Sequence, residues 1–341
     1  MKLISFTVPC YNSQEYMRKC INSLLVGGDD VEIIIVNDGS KDDTLKIANE
    51  YAEKYPEIVK IIDKENGGHG SGVNAGLKLA TGLYNKVVDS DDWLDASALE
   101  KLLNTIKEHY EANTLPDAYI TNYVYEHVLD NTTYLAEYRN NMPSGKLIGW
   151  NSVKNFRYSK VLMMHAILYK REKLLESDTV LPEHTFYVDN IYMYKPMPFI
   201  KTLYYLDVDL YRYFIGRSDQ SITIDNLLKR YEQQIRVTLC MVDAYKWDEI
   251  KKMPKGLKNY MWQVLNAVMS MTLFYICSAY SKERKTAYKE MWEHIKRNDR
   301  KMYNRLRHGS YSTLVVYLPW KVRGAICMYG YKVLCKKKKM G

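Results

Sequence analysis

The sequence predicts an α/β protein with a mostly parallel sheet covered by helices on both faces and a helical C-terminal region. Three observations carry that reading. Short apolar runs recur in the first third, at Leu3–Val8, Glu32–Val36, Val59–Ile62 and Leu83–Val88. Between them lie segments with apolar residues every three or four positions, an alternation that implies strands buried on both faces. From Asp225 onward strand patterning stops and helical periods take over. A soft boundary therefore divides 1–225 from 226–341, with no internal repeat.

Each element has a local cause. Leu3–Val8 ends in the turn Pro9-Cys10-Tyr11-Asn12, and Ser13 is placed to cap a helix buried through Met17, Cys20, Ile21, Leu24 and Leu25. The second strand ends at Asn37-Asp38-Gly39. Ser40 and Asp43 have capping-box spacing before a helix buried through Ile47, Ala48, Tyr51 and Tyr55. The third strand leads to a glycine-rich loop, Glu65–Gly76, and a short helix. The fourth runs into Asp89-Ser90-Asp91-Asp92, after which Asp95 opens a helix through Leu99, Leu102, Leu103 and Ile106. Ala118–Ile224 reads as mixed α/β. Leu227–Tyr245, Leu257–Tyr280 and Lys285–Ile295 read as helices, with breaks near Pro254 and Ser281.

Bulk composition excludes several classes. With 341 residues, 47% hydrophobic and 26% charged, the chain can bury an ample core. Its six cysteines form no CxxC pair and no metal spacing, which argues for a reducing compartment and a cytoplasmic placement. A strand begins within a few residues of Met1, so no signal peptide is expected. No apolar run nears the ~20 residues that cross a bilayer. The net charge of +9 is concentrated late, and no recognisable nucleic-acid module surrounds it. The 31 tyrosines could stack on sugars or bases, or simply pack with the hydroxyl outward.

In a parallel sheet the ligand sits beyond the carboxyl ends of the strands. Four polar segments converge there: Pro9–Asn12, Asn37–Ser40, the glycine loop and Asp89–Asp92. Three carboxylates within 89–92 repel one another unless a cation joins them, and hard divalent ions take oxygen ligands. Read alone, the cluster equally suits an Asp-rich turn before a helix. Asp38 can accept from a base N–H or cap the next helix; Tyr11 can stack on a base or pack in its loop. Gly67-Gly68-His69-Gly70-Ser71-Gly72 has neither a GKS ending nor GxGxxG spacing, so it is no P-loop. His69 could face a diphosphate or be merely solvated.

Pro9-Cys10-Tyr11-Asn12, Val36-Asn37-Asp38-Gly39-Ser40, Glu65-Asn66-Gly67-Gly68 with Asn74-Ala75-Gly76-Leu77, and Asp89-Ser90-Asp91-Asp92-Trp93 occur in that order. Together they resemble family 2 glycosyltransferases of the GT-A fold, firmly over the first hundred residues and more weakly to about residue 225. The resemblance implies inverting transfer from a nucleoside diphosphate sugar, usually a UDP-sugar, to a glycan or lipid-linked acceptor. It implies that Asp38 reads the base beside Tyr11, within a donor site that also takes in Pro9, Gly68, His69 and Ser90. Asp89 and Asp91 would be the family's DxD and hold Mg²⁺ or Mn²⁺, Asp91 directly and Asp89 also at the ribose or sugar. In the stretch matching the family's base, Phe186-Tyr187-Val188-Asp189-Asn190, Asp189 is the candidate, or else a helix cap. Val188 stands where a second acid is common; His184, Glu183 and His165 are fallback bases. Val73 replaces an arginine frequent in the loop, and Arg217 could supply that charge to the diphosphate or be a plain surface arginine.

Leu318, Val322, Ala325, Ile326, Tyr329 and Val333 share one helical face before Lys336–Lys339, with Trp320, Cys327 and Leu334 opposite. A basic, partly apolar helix suggests peripheral contact with an anionic membrane, at its inner face. A helix docked on its own domain is the other reading. Two further functions fit less well. A sugar nucleotidyltransferase would want Arg and Lys in a glycine-rich loop after the first strand, where this chain has Pro9–Asn12. A non-catalytic sugar-nucleotide binder would tolerate loss of the acidic cluster.

Overall fold

A computed structural model describes residues 1–127, 131–156, 161–215, 228–309, 313–327 and 329. The chain divides into two compact units, Met1–Gly216 and Arg217–Gly341. The first opens with β1 (Ile4–Cys10), α1 (Met17–Leu25), β2 (Val31–Asp38), α2 (Thr44–Lys54), β3 (Val59–Lys64), α3 (His69–Leu79) and β4 (Tyr84–Val87). It continues with β5 (Trp93–Leu94), α4 (Ala96–Glu111), β6 (Ala118–His127), β7 (Thr132–Ala136), β8 (Leu147–Gly149), β9 (Ile167–Lys170), α5 (Arg171–Glu176), α6 (Asp189–Tyr192) and β10 (Thr202–Ile215).

All ten strands form one sheet, ordered β3-β2-β1-β4-β9-β6-β10-β5, with β7 on β6 and β8 on β10. β1 pairs in parallel with β2 and β4, β2 with β3, and β6 with β10. β9 lies antiparallel between β4 and β6, so β6 and β10 still point the same way as β1 to β4. Their carboxyl ends therefore share one rim. Every residue of β1, β2 and β4 is buried, the signature of strands covered on both faces. Close approach helps seal one cover: a Cβ on Gly76 of α3 would stand 2.2 Å from Thr7 Cγ2 of β1. Ala75 and Ala80 then reach Ile34 and Val36.

The second unit holds α7 (Tyr231–Ala244), α8 (Trp247–Lys252), α9 (Lys255–Cys277), α10 (Lys282–Asn298), α11 (Arg300–His308) and α12 (Thr313–Val316), and no strand among its described residues. Val237, Met241, Leu265, Met269, Ile276, Ile295 and Leu306 form its buried interior. Ser281 caps α10, accepting from the Arg284 amide at 3.2 Å, and Asp299 caps α11. A last helical stretch covers 320–327. Its Trp320 Nε1 donates to Ala279 O at 3.3 Å, and a Cβ on Gly324 would meet Cys277 O at 2.9 Å. The docked side is thus the Trp320 face; Val322 (43%), Ile326 (46%) and Tyr329 (72%) are exposed. Among the described residues no helix is long and apolar enough to cross a membrane.

Candidate active site

The strand ends are joined by side chains that local rules had assigned to helix caps. α1 begins at Met17, and Ser13 accepts from the Tyr11 amide (3.2 Å) and pairs with Ser90 Oγ (2.7 Å). Ser40 accepts from the Asn12 amide (3.0 Å), while the Lys41 amide returns a bond to Asn12 Oδ1 (2.9 Å). The Ser40–Asp43 capping box does not form; Asp42 accepts from the first amide of α2, on Thr44, at 3.0 Å. Tertiary partners outcompete local ones here. Pro9 is buried, and Tyr11 stands 52% exposed beside it.

Asp38 is buried at the end of β2 and accepts four donors. Lys64 Nζ (2.9 Å) and the Gly67 amide (2.8 Å) reach Oδ1; the Gly68 amide (2.7 Å) and Asn66 Nδ2 (3.1 Å) reach Oδ2. Two oxygens offer about four lone-pair sites, so this carboxylate is filled by the loop it organises. Gly68 has φ +83°, a left-handed conformation that suits glycine, and α3 starts immediately after it at His69.

A later segment is laced to the same loop. Asn74 Nδ2 donates to Leu181 O (2.8 Å) and the Leu181 amide donates back to Asn74 Oδ1 (3.0 Å). Ser71 Oγ donates to Glu183 (2.9 Å), and the His184 amide donates to Gly67 O (2.6 Å). These bonds bring Asp189, first residue of α6, into the field of Asp89, His69 and His165. Burial and the Asp89 charge raise the Asp189 carboxyl above its ordinary value, against the pull of both imidazoles.

Beyond β4 the aspartates differ in environment. Asp89 accepts from His69 Nε2 at 2.8 Å and lies 3.8 Å from His165 Nε2. Burial opposes its charge, yet the two histidines hold it well below the usual carboxylate range. Burial opposes protonated His69 too, but Asp89 raises its pKa. Asp92 is fully buried, accepting from Tyr211 Oη (2.6 Å) and the Phe214 amide (2.8 Å). Burial, then Asp91 and Asp89, push its pKa well up. Asp91 is half-buried between them.

Ligand atoms of Asp89, Asp92 and His165 all lie within 4.8 Å of one another. The chemistry fits a divalent cation: two crowded carboxylates, plus a buried imidazole whose Nδ1 has no partner among the described residues. The trio contains Asp92 and His165 beside Asp89, and the expected Asp91 is not one of the three. His165 is held by Lys86, whose Nζ donates to its carbonyl at 2.7 Å, and burial lowers Lys86 to about 7. Of the three carboxylates in 89–92 only Asp89 and Asp91 were expected as named ligands, and neither Lys86 nor Tyr211 was expected beside them. A lysine within the apolar strand 83–88 was the one available signal. Arg217 lies outside the described residues.

Comparison with known proteins gives the family that shares this rim, with its acidic turn and laced glycine loop. The Glycosyl transferase family 2 profile matches residues 5–170. EpsH of Bacillus subtilis (strain 168) is 30% identical over 244 residues, 68% of this chain and 64% of EpsH. The poly(ribitol-phosphate) beta-glucosyltransferase of Bacillus spizizenii (strain ATCC 23059 / NRRL B-14472 / W23) is 40% identical over 116 residues, 33% of this chain and 18% of that protein. The chain thus spans less than two thirds of either relative. The crystal structure of S. aureus TarS 1-349 in complex with UDP-GlcNAc aligns with TM-score 0.64 at 20% identity, covering 96% of this chain and 89% of that one. At that identity the likeness speaks for the fold alone. The chain carries a family 2 glycosyltransferase domain of the GT-A fold.

Proposed function

We propose that the chain transfers a sugar, with inversion, from a UDP-sugar to a hydroxyl of a glycan or lipid-linked acceptor in cell-surface polysaccharide synthesis. The observation that supports this reading is the lacing of 181–184 to the glycine loop, together with a half-buried Asp189 whose raised pKa reflects burial and the charge of Asp89. The named activity of the poly(ribitol-phosphate) relative and the UDP-GlcNAc in the TarS title support the substrate class.

Tyr11, exposed beside the end of β1, stacks on the base. Asp38 meets the base edge by exchanging a donor, and Lys64, which also bonds Glu65 O, is the one able to leave. Asp89 and Asp91, backed by Asp92 and His165, would hold Mg²⁺ or Mn²⁺. When bound, such an ion offsets the charge of the diphosphate. The acceptor hydroxyl attacks the anomeric carbon from the face opposite the diphosphate. Its proton passes to the Asp189 carboxylate as the bond to the diphosphate breaks, and a raised carboxyl pKa suits that task. A panel of nucleotide sugars, scored for nucleotide release with each metal, tests the reading. Asp91→Ala is expected to abolish metal-dependent release; release from no donor would sink the proposal.

The outward stripe of Val322, Ile326 and Tyr329, followed in sequence by Lys336–Lys339 outside the described residues, suits an anionic bilayer carrying a lipid-linked acceptor. Each lysine near such a surface adds ~1 kcal/mol. Liposome co-sedimentation should favour the full chain over one ending before Tyr311; equal binding removes this part.

A further inference from the structure

The tyrosine excess has a location. Tyr123 and Tyr125 of β6 lie opposite Tyr211 and Tyr213 of β10, and Tyr134 of β7 lies opposite Tyr125. Alternation puts all five on one face of the sheet. His165 lies 4.7 Å from Tyr211 and stacks on Tyr213, at 4.5 Å and 22°. Tyr213 lies 5.5 Å from Tyr125, and Tyr125 lies 5.9 Å from Tyr134. The rings form an unbroken path, and accessibility climbs along it. Tyr211 (0%) and Tyr123 (5%) are buried, Tyr125 and Tyr213 are half-buried, and Tyr134 is 51% exposed.

We infer that this strip is an acceptor platform, on which a pyranose ring lies with its carbon–hydrogen face against Tyr125, Tyr213 and Tyr134. The inference rests on the glycosyl-transfer reading and adds a subsite to it. Sheet order favours a saccharide over the nucleobase. Tyr11 and Asp38 follow β1 and β2 on one side of β4, whereas the strip occupies β6, β10 and β7 on the other. Asp89 stands between, at the end of β4. The inner end of the strip is tied to the acidic turn, because Tyr211 Oη donates to Asp92 and accepts from the Asp89 amide at 3.1 Å. A sugar on the outer rings would therefore point its terminal hydroxyl inward. Aromatic faces meet such rings with large contact area and little side-chain entropy loss.

The test uses the full chain with chitotriose and cellotriose as probes, read by saturation-transfer NMR, and with UDP-sugar and Mn²⁺ read by calorimetry. Tyr134 is exposed enough for Tyr134→Ala to fold. That variant should lose saccharide signal by about fivefold or more with donor affinity unchanged, and Tyr134→Phe should restore the signal because the ring does the holding. Equal signal in parent and Tyr134→Ala overturns the platform. So does absence of saccharide signal from a parent that binds donor. Saccharide binding lost in Tyr134→Ala, by a parent that refuses every nucleotide sugar, would sustain the platform and overturn the donor reading.

Discussion

The two ends of the parallel strands hold buried carboxylates in opposite conditions. At the amino end, Glu32 of β2 is fully inaccessible and receives five donors. Ser5 Oγ (2.5 Å), the Thr81 amide (2.5 Å), Thr81 Oγ1 (2.9 Å), the Gly82 amide (3.2 Å) and Lys60 Nζ (2.6 Å) all point at it. At the carboxyl end, Asp89, Asp91 and Asp92 crowd one another, and His165 Nδ1 beside them lacks a partner among the described residues. Buried polar groups are normally satisfied, so a carboxylate closed by its own fold is structural, while mutually repelling carboxylates beside an unpartnered imidazole nitrogen mark a place prepared for something else. Asp38 qualifies the rule. It lies at the carboxyl end, yet four donors from Lys64 and the loop fill it, so under the proposed reading a base edge has to displace one of them.

The contrast breaks most sharply at Asp189. If the carboxyl rim serves chemistry, Asp189→Asn should lower kcat by about 10²–10⁴, the usual worth of a general base. Donor affinity should stay within about twofold, since no donor contact is assigned to it, and the melting temperature should not fall. The amide relieves a half-buried carboxyl whose pKa the fold already raises. Transfer at the parent rate would return Asp189 to a helix-start role and move the base to Glu183, His184 or His165. Single-turnover rates alongside calorimetric donor titration separate these outcomes.

How much of this was readable from the chain follows the same division. Strands β1, β2 and β4 were legible because burial on both faces leaves nearly continuous apolar runs, and the edge strand β3 because Val59, Ile61 and Ile62 still mark it. The acidic turn was legible because four carboxyl-end segments occur in a familiar order. Caps were the weak point. Ser13 and Ser40 sit where a helix cap belongs, but partners 28 residues away for Ser40 and 77 away for Ser13 take their hydroxyls. Nothing local reports such a pairing. The face of the last helix was likewise hidden: the mixed Trp320 side is the docked one, a choice made by a gap beside Cys277 that Gly324 fits. Glu32 and Lys86 each announce themselves as a charge inside an apolar strand. Their partners include residues 49 and 79 positions later, so the sequence shows that a demand exists and not what meets it.

The amino end sharpens the comparison through stability. The enclosed Glu32 carboxyl is held at about 2, against an ordinary value of 4.5, because five donors outweigh the cost of burial. A carboxyl with a depressed folded pKa contributes stability that is complete above its unfolded value and lost as pH falls through the folded one. The window here runs from about 4.5 down to about 2. The difference corresponds to roughly 3 kcal/mol at neutral pH. Glu32→Gln should therefore unfold at lower denaturant near neutrality, with kcat unchanged in the folded enzyme. The gap between parent and variant should narrow steadily as unfolding is repeated below pH 4.5. A gap that stays constant with pH would mean that the loss came from disturbed packing around Thr81 and Gly82 and not from the charge. A fall in kcat would mean that the two ends of the sheet are coupled, and that the division between a structural edge and a chemical one is wrong.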